Sequence, residues 1–372
     1  MNPGTELTPP QASHPGLFLK RELSARKIKQ NELAADAGIQ ATQLNQIINC
    51  KRAITSEQAL LLGAALGISA QALAKMQWNY DLHKATLEAG THARLEAVEQ
   101  LKTLKEYIDV SYFRKEGVVT GRPAADVQGL LKVHDTDTVP SLIDKLTKGT
   151  YAGLFFKKSE KLSEHQPFVN SWISYVKHKA SAEHVAPIDF SCQSELLSKL
   201  KIVFQDSDVR NKLRTTLKHY GIKLITQHNP AKTPLDGAAF WHDGSPILAL
   251  TERHSRYDNY LFTVYHELGH IFLHLQDKKN RDTDFVDSLD TVNATGISKQ
   301  EEEANDFARN TLVPADEWAA FTSRHVRFTD DVISRFAKAM EVPAPTILGR
   351  LCFDRHLDYS CNSVHKKNNQ IP

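Results

Sequence analysis

The H-E-L-G-H segment from His266 to His270 contains the residues with the clearest capacity for chemistry. The residues around it are mostly apolar and predict a helix, on which a separation of four positions places both imidazoles on one face, one turn apart. Two imidazoles in this arrangement can share one tetrahedral metal ion. Glu267 lies off that face and is suited to take a proton from water instead of binding the ion. The segment therefore predicts a metal-dependent hydrolytic site.

The alternative interpretation is a chance arrangement of ordinary packed histidines, because the chain contains 17 of them. Such an arrangement would bury two imidazoles and a carboxylate among apolar neighbours without partners, which costs free energy. The metal site is favoured because it explains all three side chains together.

A hydrolytic site with two histidines needs a third protein ligand, usually a carboxylate, and one open position for water. Glu301 lies on the small, apolar face of the helix predicted over residues 298–312, and Glu303 is its competitor for the ligand role. Asn305 shares the face of Glu301, and His274 lies one turn beyond the first motif. Each can support a ligand through a hydrogen bond. For His274 the alternative is an ordinary packed or capping residue.

A group that stabilises the tetrahedral oxyanion is also expected near the motif. The candidates are Tyr265, Arg253 and His254, which lie next to the motif or shortly before it. The sequence does not choose among them.

The H-E-L-G-H motif, the later E-x-E-A-N-x-F-A motif and the Leu312-Val313-Pro314 stop resemble the ImmA/IrrE family of metallopeptidases. The resemblance covers about residues 206–351. It implies an α+β, zincin-like endopeptidase domain in which two histidines and one glutamate bind one zinc ion per chain. By that resemblance, the glutamate corresponds to Glu301. Manganese and iron stay open as alternatives, since this set of ligands serves several ions.

Residues 16–87 predict a small domain of short amphipathic helices, and residues 29–49 within it have the pattern of a helix-turn-helix. Ala34 is small where two helices must cross, Gly38 permits the turn, and Leu44 anchors the second helix. Polar groups suited to base edges or to phosphates are found in and around this motif: Gln30, Gln40, Thr42, Gln43, Asn45, Gln46, Lys51 and Arg52. The pattern predicts DNA binding, and the alternative is a helical protein-interaction module.

This segment resembles the Xre-type repressor domain, and its continuation through residues 77–82 is similar to the HigA-like antitoxin branch of that group. The resemblance implies a double-stranded DNA operator as a partner and, because such domains commonly read two-fold half-sites, a homodimer. Cys50 stands where the family usually has glycine, and Gln40 where it often has serine. Both departures make the ends of the second helix less ideal.

Length and composition allow several domains, since the chain has 372 residues, of which 41% are hydrophobic and 24% are charged. The net charge of +2 indicates no particular partner, and the 4 scattered cysteines match neither a zinc ribbon nor a disulfide framework. The sequence contains no recognisable signal peptide and no apolar stretch long enough for a bilayer, which predicts a cytoplasmic location.

The expected organisation is multidomain, with a mainly helical middle region between the two predicted functional domains. In chain order we expect a flexible N-terminus (1–15), an all-α helix-turn-helix DNA-binding domain (16–87), a mostly helical connecting region (88–205), a zinc metallopeptidase domain (206–355) and a disordered tail (356–372). Within the metallopeptidase domain, short strands are predicted near 222–226, 237–241 and 247–251, and the first motif lies on a helix near 258–275.

These features together predict a DNA-binding regulator that carries a zinc-dependent endopeptidase. Its substrate is expected to be a protein partner, such as a transcriptional repressor or an antitoxin. The main alternative is a transcription factor or antitoxin whose peptidase-like domain binds metal and cleaves nothing.

Overall fold

The computed structural model describes residues 12–148, 160–228, 235–251, 255–281, 285–288 and 299–371. The chain divides into two compact units, Met1–Glu99 and Gln100–Pro372. Most of the predicted flexible N-terminus, residues 1–11, lies outside the described residues.

Short amphipathic helices build the first unit, and each buries a stripe of aliphatic side chains such as Leu19, Leu44 and Leu62. Thr55 caps one of these helices. Its hydroxyl accepts a hydrogen bond from the backbone amide of Gln58 at 3.2 Å, and the side-chain oxygen of Gln58 accepts one from the backbone amide of Thr55 at 3.1 Å. The helices are α1 (Pro15–Arg26), α2 (Gln30–Asp36), α3 (Ala41–Ile48), α4 (Ser56–Leu66) and α5 (Ala70–Leu87). A longer helix, α6 (Ala89–Leu104), follows and contains the boundary between the units.

A four-stranded mixed sheet lies in the second unit, with β1 (Lys223–Thr226), β2 (Leu235–His242), β3 (Ser245–Leu250) and β4 (Phe285–Ser288) in the order β1-β3-β2-β4. β1 runs parallel to β3, and the other two pairings are antiparallel. The turn between β2 and β3 consists of Asp243 and Gly244, both with positive φ. This is the Asp-Gly preference of a type I′ hairpin turn.

The fourth strand, residues 285–288, was not among the strands predicted from the sequence. Its residues, Phe-Val-Asp-Ser, show no alternation of apolar and polar side chains that would indicate a strand. Its pairing with β2, in which Phe285 lies opposite Ala239 and Val286 opposite Ala238, supplies the stabilisation that the local sequence lacks.

Among the described residues of the second unit, six α-helices precede the sheet: α7 (Val110–Lys115), α8 (Pro123–Val133), α9 (Val139–Lys148), α10 (Glu160–Ser181), α11 (Gln193–Val203) and α12 (Val209–His219). Several hydrogen bonds join α10 to the first strand region. The Trp172 indole donates to the Gln227 carbonyl at 3.2 Å, and the Lys223 ammonium donates to the Ala180 carbonyl at 3.0 Å. The region predicted to connect the domains therefore packs directly on the sheet.

The two helices predicted to carry the metal ligands are α13 (Tyr257–Gly269) and α14 (Lys299–Leu312). α13 ends at Gly269 and is followed by a π-helical turn over His270–His274. In this turn the backbone amide of Leu275 donates to the His270 carbonyl at 2.9 Å. The two helices pack closely because small residues meet. A Cβ added to Gly269 would lie 3.1 Å from the Ala304 Cα atom.

The C-terminal part of the chain forms α15 (Ala315–Arg324), α16 (Asp330–Ala339), α17 (Ala344–Phe353) and α18 (Val364–Lys367). Residues 356–371 are ordered in the structure, in contrast to the predicted disordered tail. Asn369 donates to the Asp258 carboxylate at 2.8 Å and accepts from the Asp258 amide at 2.9 Å. Asp258 is buried at the start of α13 and needs such partners, which the polarity of the tail sequence alone does not reveal.

The architecture thus combines an all-helical first unit with a second unit of helices around a small sheet, as the predicted multidomain α+β class requires. In the part of the chain that the structure describes, no helix has the length and apolar character needed to cross a bilayer.

Candidate metal centre

Three side chains converge between α13 and α14. The Nε2 atoms of His266 and His270 are 3.1 Å apart, and the Glu301 carboxylate lies 3.3 Å from the first and 3.4 Å from the second. A tetrahedral ion with ligand bonds of about 2.0–2.1 Å requires ligand atoms about 3.3–3.4 Å apart. The arrangement therefore fits a metal ion. Among the described residues, these three form the cluster of His, Cys, Asp and Glu side chains that is compact enough to hold a metal ion.

Protonation in the centre suits metal binding. Burial lowers the pKa of His270 to about 4, although hydrogen bonding to Glu301 acts in the opposite direction. Two effects oppose each other at Glu301. Burial alone would raise the pKa of its carboxyl group, but the hydrogen bonds with His266 and His270 are stronger and hold that pKa well below its usual range. At neutral pH the imidazole of His270 is neutral and the Glu301 carboxylate is ionised, which are the forms that bind metal ions.

Aromatic rings fix the orientation of the imidazoles. The ring of Phe285, on β4, stacks on that of His270 at a centroid distance of 4.6 Å and an angle of 20°. Phe262, one turn before the motif, stacks on His266 at 6.1 Å and 29°. The sequence analysis did not single out either phenylalanine, and Phe285 could be found only once the fourth strand was known.

Glu267 is completely buried beside β2. A Cβ added to Gly237 would lie 2.6 Å from the Glu267 Oε1 atom and 2.8 Å from the Thr263 Cγ2 atom. Glycine is therefore required in β2 for the strand to approach the helix this closely. A glycine inside a predicted strand is the signal that could have identified Gly237.

His274 contacts the centre from outside. Its Nδ1 atom lies 3.0 Å from Nδ1 of His270, and its Nε2 atom lies 3.0 Å from the Glu303 carboxylate. The hydrogen bond with His274 lowers the pKa of Glu303. Glu303, the predicted competitor of Glu301, thus contacts a neighbour of the ligands. Asn305 is half-buried, and among the described residues it makes no hydrogen bond to the three ligands.

The first unit presents most of its predicted DNA-contacting residues to solvent. Exposed side chains lie on α3 and at its two ends: Gln40, Thr42, Asn45, Gln46, Lys51 and Arg52. Two others are half-buried and bonded within the unit. Gln43 accepts from the Gln58 side chain at 3.3 Å, and Gln30 accepts from the Asn45 side chain at 3.4 Å. Gln43 is therefore held towards α4, and Gln30 orients Asn45.

Comparison with known proteins gives a family for the metal centre. Residues 217–351 match the family model Peptidase_M78, which is described as the IrrE N-terminal-like domain. These residues lie in the second unit, and for this similarity they are called the IrrE-like domain below. All three candidate ligands, Glu267 and Gly237 lie within this IrrE-like domain. No curated protein matches the chain.

Two solved structures are similar to part of the chain, each with 30% sequence identity. One is an addiction module antidote protein of the HigA family from Coxiella burnetii, and the other is the antitoxin HigA from Pseudomonas aeruginosa with the higBA promoter. Each match covers 22% of this chain with a TM-score of 0.21, and the matches span 91% and 89% of those two chains, respectively.

Of the three candidates for an oxyanion donor, Tyr265 is the one that the described residues include. The Tyr265 ring is buried in the hydrophobic core and packs on Phe204 at a centroid distance of 5.4 Å, and burial raises its pKa. This position disfavours a role in stabilising an oxyanion. Arg253 and His254 lie outside the described residues.

Proposed function

We propose that the chain is a DNA-binding regulator whose IrrE-like domain is a zinc-dependent endopeptidase, with one zinc ion per chain, that hydrolyses a peptide bond in a protein partner. The partner class we favour is a transcriptional repressor or an antitoxin. The observation that carries the proposal is the convergence of His266, His270 and Glu301 at the spacing of a tetrahedral site, with the buried Glu267 carboxylate next to it in the motif.

The chemistry expected of this centre follows from its residues. When bound by His266, His270 and Glu301, zinc would supply Lewis acidity towards a water molecule and towards the peptide carbonyl. Glu267 accepts the proton of the attacking water and then donates it to the leaving amine. The close contact with Gly237 holds the carboxylate in place, so that little of its freedom is lost during the reaction.

DNA binding is proposed for the first unit on the basis of its exposed polar groups. Thr42, Asn45 and Gln46 offer donors and acceptors to base edges along α3. Lys51 and Arg52 follow that helix and suit backbone phosphates. A homodimer would allow two such helices to read the half-sites of an operator.

Metal content is the first test of the proposed centre. The purified full chain should contain about one zinc ion per chain, as the ligand set predicts. His266→Ala and Glu301→Ala should lose the ion, whereas Glu267→Gln should keep it because Glu267 is not a ligand. Plasma mass spectrometry of the four proteins, each supplied with zinc and then dialysed, gives the comparison. A wild-type protein that takes up no metal would remove the peptidase from the proposal.

Cleavage is tested separately with the same Glu267→Gln protein. Cell extracts treated with the wild-type chain should show new peptide N-termini that are absent after treatment with Glu267→Gln. Cleavage retained by this variant would contradict the role of Glu267 as the base. Zinc bound by the wild type without any new N-termini would favour the alternative, a regulator that binds metal and cleaves nothing.

A further inference from the structure

A continuous series of contacts leads from the metal centre to the protein surface. His270 contacts His274 through their Nδ1 atoms at 3.0 Å, His274 contacts Glu303 through Nε2 at 3.0 Å, and Lys299 lies 3.4 Å from the other Glu303 oxygen. The fully buried His270 is followed by side chains that are 5% exposed in His274, 41% in Glu303 and 87% in Lys299. The series thus begins at a predicted ligand and ends at a charge in water.

The proton positions along this series depend on one another. An ionised carboxylate can only accept hydrogen bonds, so His274 must donate to Glu303 with a proton on Nε2. A neutral imidazole then has no proton on Nδ1, and this nitrogen of His274 accepts from Nδ1–H of His270. The same rule leaves Nε2 of His270 without a proton, facing His266 and Glu301. The carboxylate at the surface therefore selects the form of His270 that can bind a metal ion.

The fold holds both imidazoles in the planes that this pattern requires. The π-helical turn over His270–His274 places the two Nδ1 atoms within hydrogen-bond distance. Phe285 stacks on both rings, at 4.6 Å from His270 and 5.2 Å from His274, with interplanar angles of 20° and 28°. Rings clamped in this way cannot rotate freely to exchange donor for acceptor. The remaining choice is the position of the protons, which Glu303 determines.

We infer that Glu303 is a positioning residue of the metal centre, which acts through His274 to keep the proton of His270 on Nδ1 and its Nε2 atom available as a ligand. The inference rests on the proposed metal site and deepens it. It also gives separate roles to the two carboxylates of α14 that the sequence left in competition: Glu301 is a ligand, and Glu303 sets the hydrogen-bond pattern of a ligand.

Zinc affinity of the full chain, measured by competition with a chromogenic chelator, tests this role. Glu303→Gln keeps an acceptor oxygen for His274 and should stay within about threefold of the wild-type affinity, because the hydrogen-bond direction is unchanged. Glu303→Lys offers only donors, reverses that direction and should weaken zinc binding by about 10- to 100-fold, the usual effect of removing a hydrogen-bond partner of a ligand. Equal affinities in Glu303→Lys and the wild type would overturn the inference.

Glu302→Lys is the matched control, because it makes the same change of charge on an exposed neighbour in α14. It should bind zinc like the wild type. A loss of affinity in Glu302→Lys as large as that in Glu303→Lys would assign the effect to net charge and would also overturn the inference.

A spectroscopic measurement separates this role from a purely structural one. Long-range proton–nitrogen correlation spectra of histidine-labelled, zinc-loaded chain should show His270 protonated at Nδ1 in the wild type and in Glu303→Gln, and a changed pattern in Glu303→Lys. In the zinc-free wild type, His274 should carry its proton on Nε2 and none on Nδ1. A proton on Nδ1 of His274 would overturn the inference, whereas a wild type that binds no zinc would instead overturn the proposed function.

Discussion

Gly237 is the residue on which the position of the Glu267 carboxylate depends. β2 approaches α13 so closely at this point that a single added carbon atom would lie 2.6 Å from Glu267 Oε1, well inside the van der Waals contact distance. Gly237 does not have a positive φ, so its backbone conformation does not require glycine. The requirement for glycine here comes from space alone.

Gly237→Ala should therefore uncouple cleavage from metal binding. The three atoms nearest to the new methyl group belong to Glu267 and Thr263 and not to a candidate ligand. Zinc affinity should therefore stay within about threefold while cleavage falls by about 100-fold, the cost of misplacing a reacting group by about 1 Å. Chelator competition and a cleavage assay on the partner found with the wild type give the two values. Gly90→Ala is the control, because a Cβ at Gly90 meets nothing within 4 Å. Loss of zinc in Gly237→Ala would show that the strand supports the ligands as well.

Cys50 has a left-handed conformation, with φ of 60°, directly after α3. Its amide donates to the Ile47 carbonyl at 2.9 Å, and the Lys51 amide donates to the Gln46 carbonyl at 2.8 Å, which are hydrogen bonds typical of the end of a helix. Glycine adopts this conformation without strain, whereas other residues lose about 1–2 kcal/mol. The departure from glycine noted in the sequence thus has a structural cost.

Cys50→Gly should stabilise the end of α3. Part of the relieved strain is offset by the greater entropy of glycine in the unfolded chain, which leaves a gain of about 0.5–1 kcal/mol. Hydrogen exchange of residues 41–49, measured by mass spectrometry on the full chain, should slow by about two- to fivefold. Cys50→Ala keeps the strain and should show no such slowing. Faster exchange in Cys50→Gly than in the wild type would contradict this explanation.

At the scale of the elements, the pairing of α13 with α14 determines whether the three ligands meet. Ala304 and Ala308 are fully buried, and the first lies against Gly269. The sequence analysis identified this small, apolar face together with Glu301, since helical periodicity is a property of the local sequence. Both helices begin within about one residue of the predicted positions, as far as the described residues show.

Ala304→Leu should separate these two helices. The larger side chain overpacks the contact with Gly269, which costs about 1–3 kcal/mol of stability and moves Glu301 away from the histidines. Zinc affinity should fall by at least about 10-fold, since one of three ligands no longer reaches the ion. Thermal unfolding and chelator competition measure the two effects. Glu302→Leu, on the exposed side of the same helix, should leave both values close to those of the wild type, and unchanged zinc affinity in Ala304→Leu would contradict the argument.

Two basic residues that follow α3 give a second prediction at this scale. Lys51 and Arg52 are exposed, and each contact with a phosphate should contribute about one to the slope of log affinity against log salt concentration. Lys51→Ala and Arg52→Ala should each lower that slope by about one and weaken binding to all duplexes alike. Fluorescence anisotropy with labelled DNA at several salt concentrations provides the slopes. Lys75→Ala, an exposed change on α5, should leave the slope unchanged; an equal loss in this control would contradict a contact specific to the end of α3.

The sequence predicted the elements that are defined by local patterns and missed those that depend on distant partners. The helix-turn-helix, the two motif helices and three of the four strands have periodicity or turn residues of their own. β4 exists because β2 pairs with it, and the contact of Asn369 with Asp258 joins residues 111 positions apart. The link from His274 to Glu303 likewise requires the packing of α14 on the π-helical turn, which no local pattern specifies.

At the scale of the whole molecule, two buried histidines make the second unit sensitive to acid. Burial lowers the pKa of His134 to about 4, as it does for His270. The unfolded chain binds protons at these residues near pH 6.5, whereas the folded chain does not until about pH 4. The contribution of these two histidines to stability is therefore fully present above about pH 6.5 and is lost as the pH falls towards 4, by roughly 3 kcal/mol for each histidine.

His134→Gln should reduce this loss in the zinc-free chain. Glutamine can still donate to the Leu130 carbonyl, which His134 contacts at 2.7 Å, but it does not titrate. The decrease in unfolding free energy between pH 6.5 and 4.5 should be smaller by roughly 2 kcal/mol, since each pH unit contributes at most about 1.4 kcal/mol and less than that near either pKa. Urea titrations followed by tryptophan fluorescence measure it, because Trp172 in this unit is fully buried. An equal pH dependence in both proteins would show that other groups cause the acid sensitivity.

The contact between Asn369 and Asp258 has a consequence for the order of events during translation. A ribosome completes α13 and then α14 long before it reaches Asn369, which follows Asp258 by 111 positions. His266, His270 and Glu301 can therefore meet in the nascent chain while the start of α13 still lacks its hydrogen bonds from the C-terminal segment. Capture of the proposed zinc ion can then precede completion of the fold, and the segment around Asn369 secures a centre that has already formed.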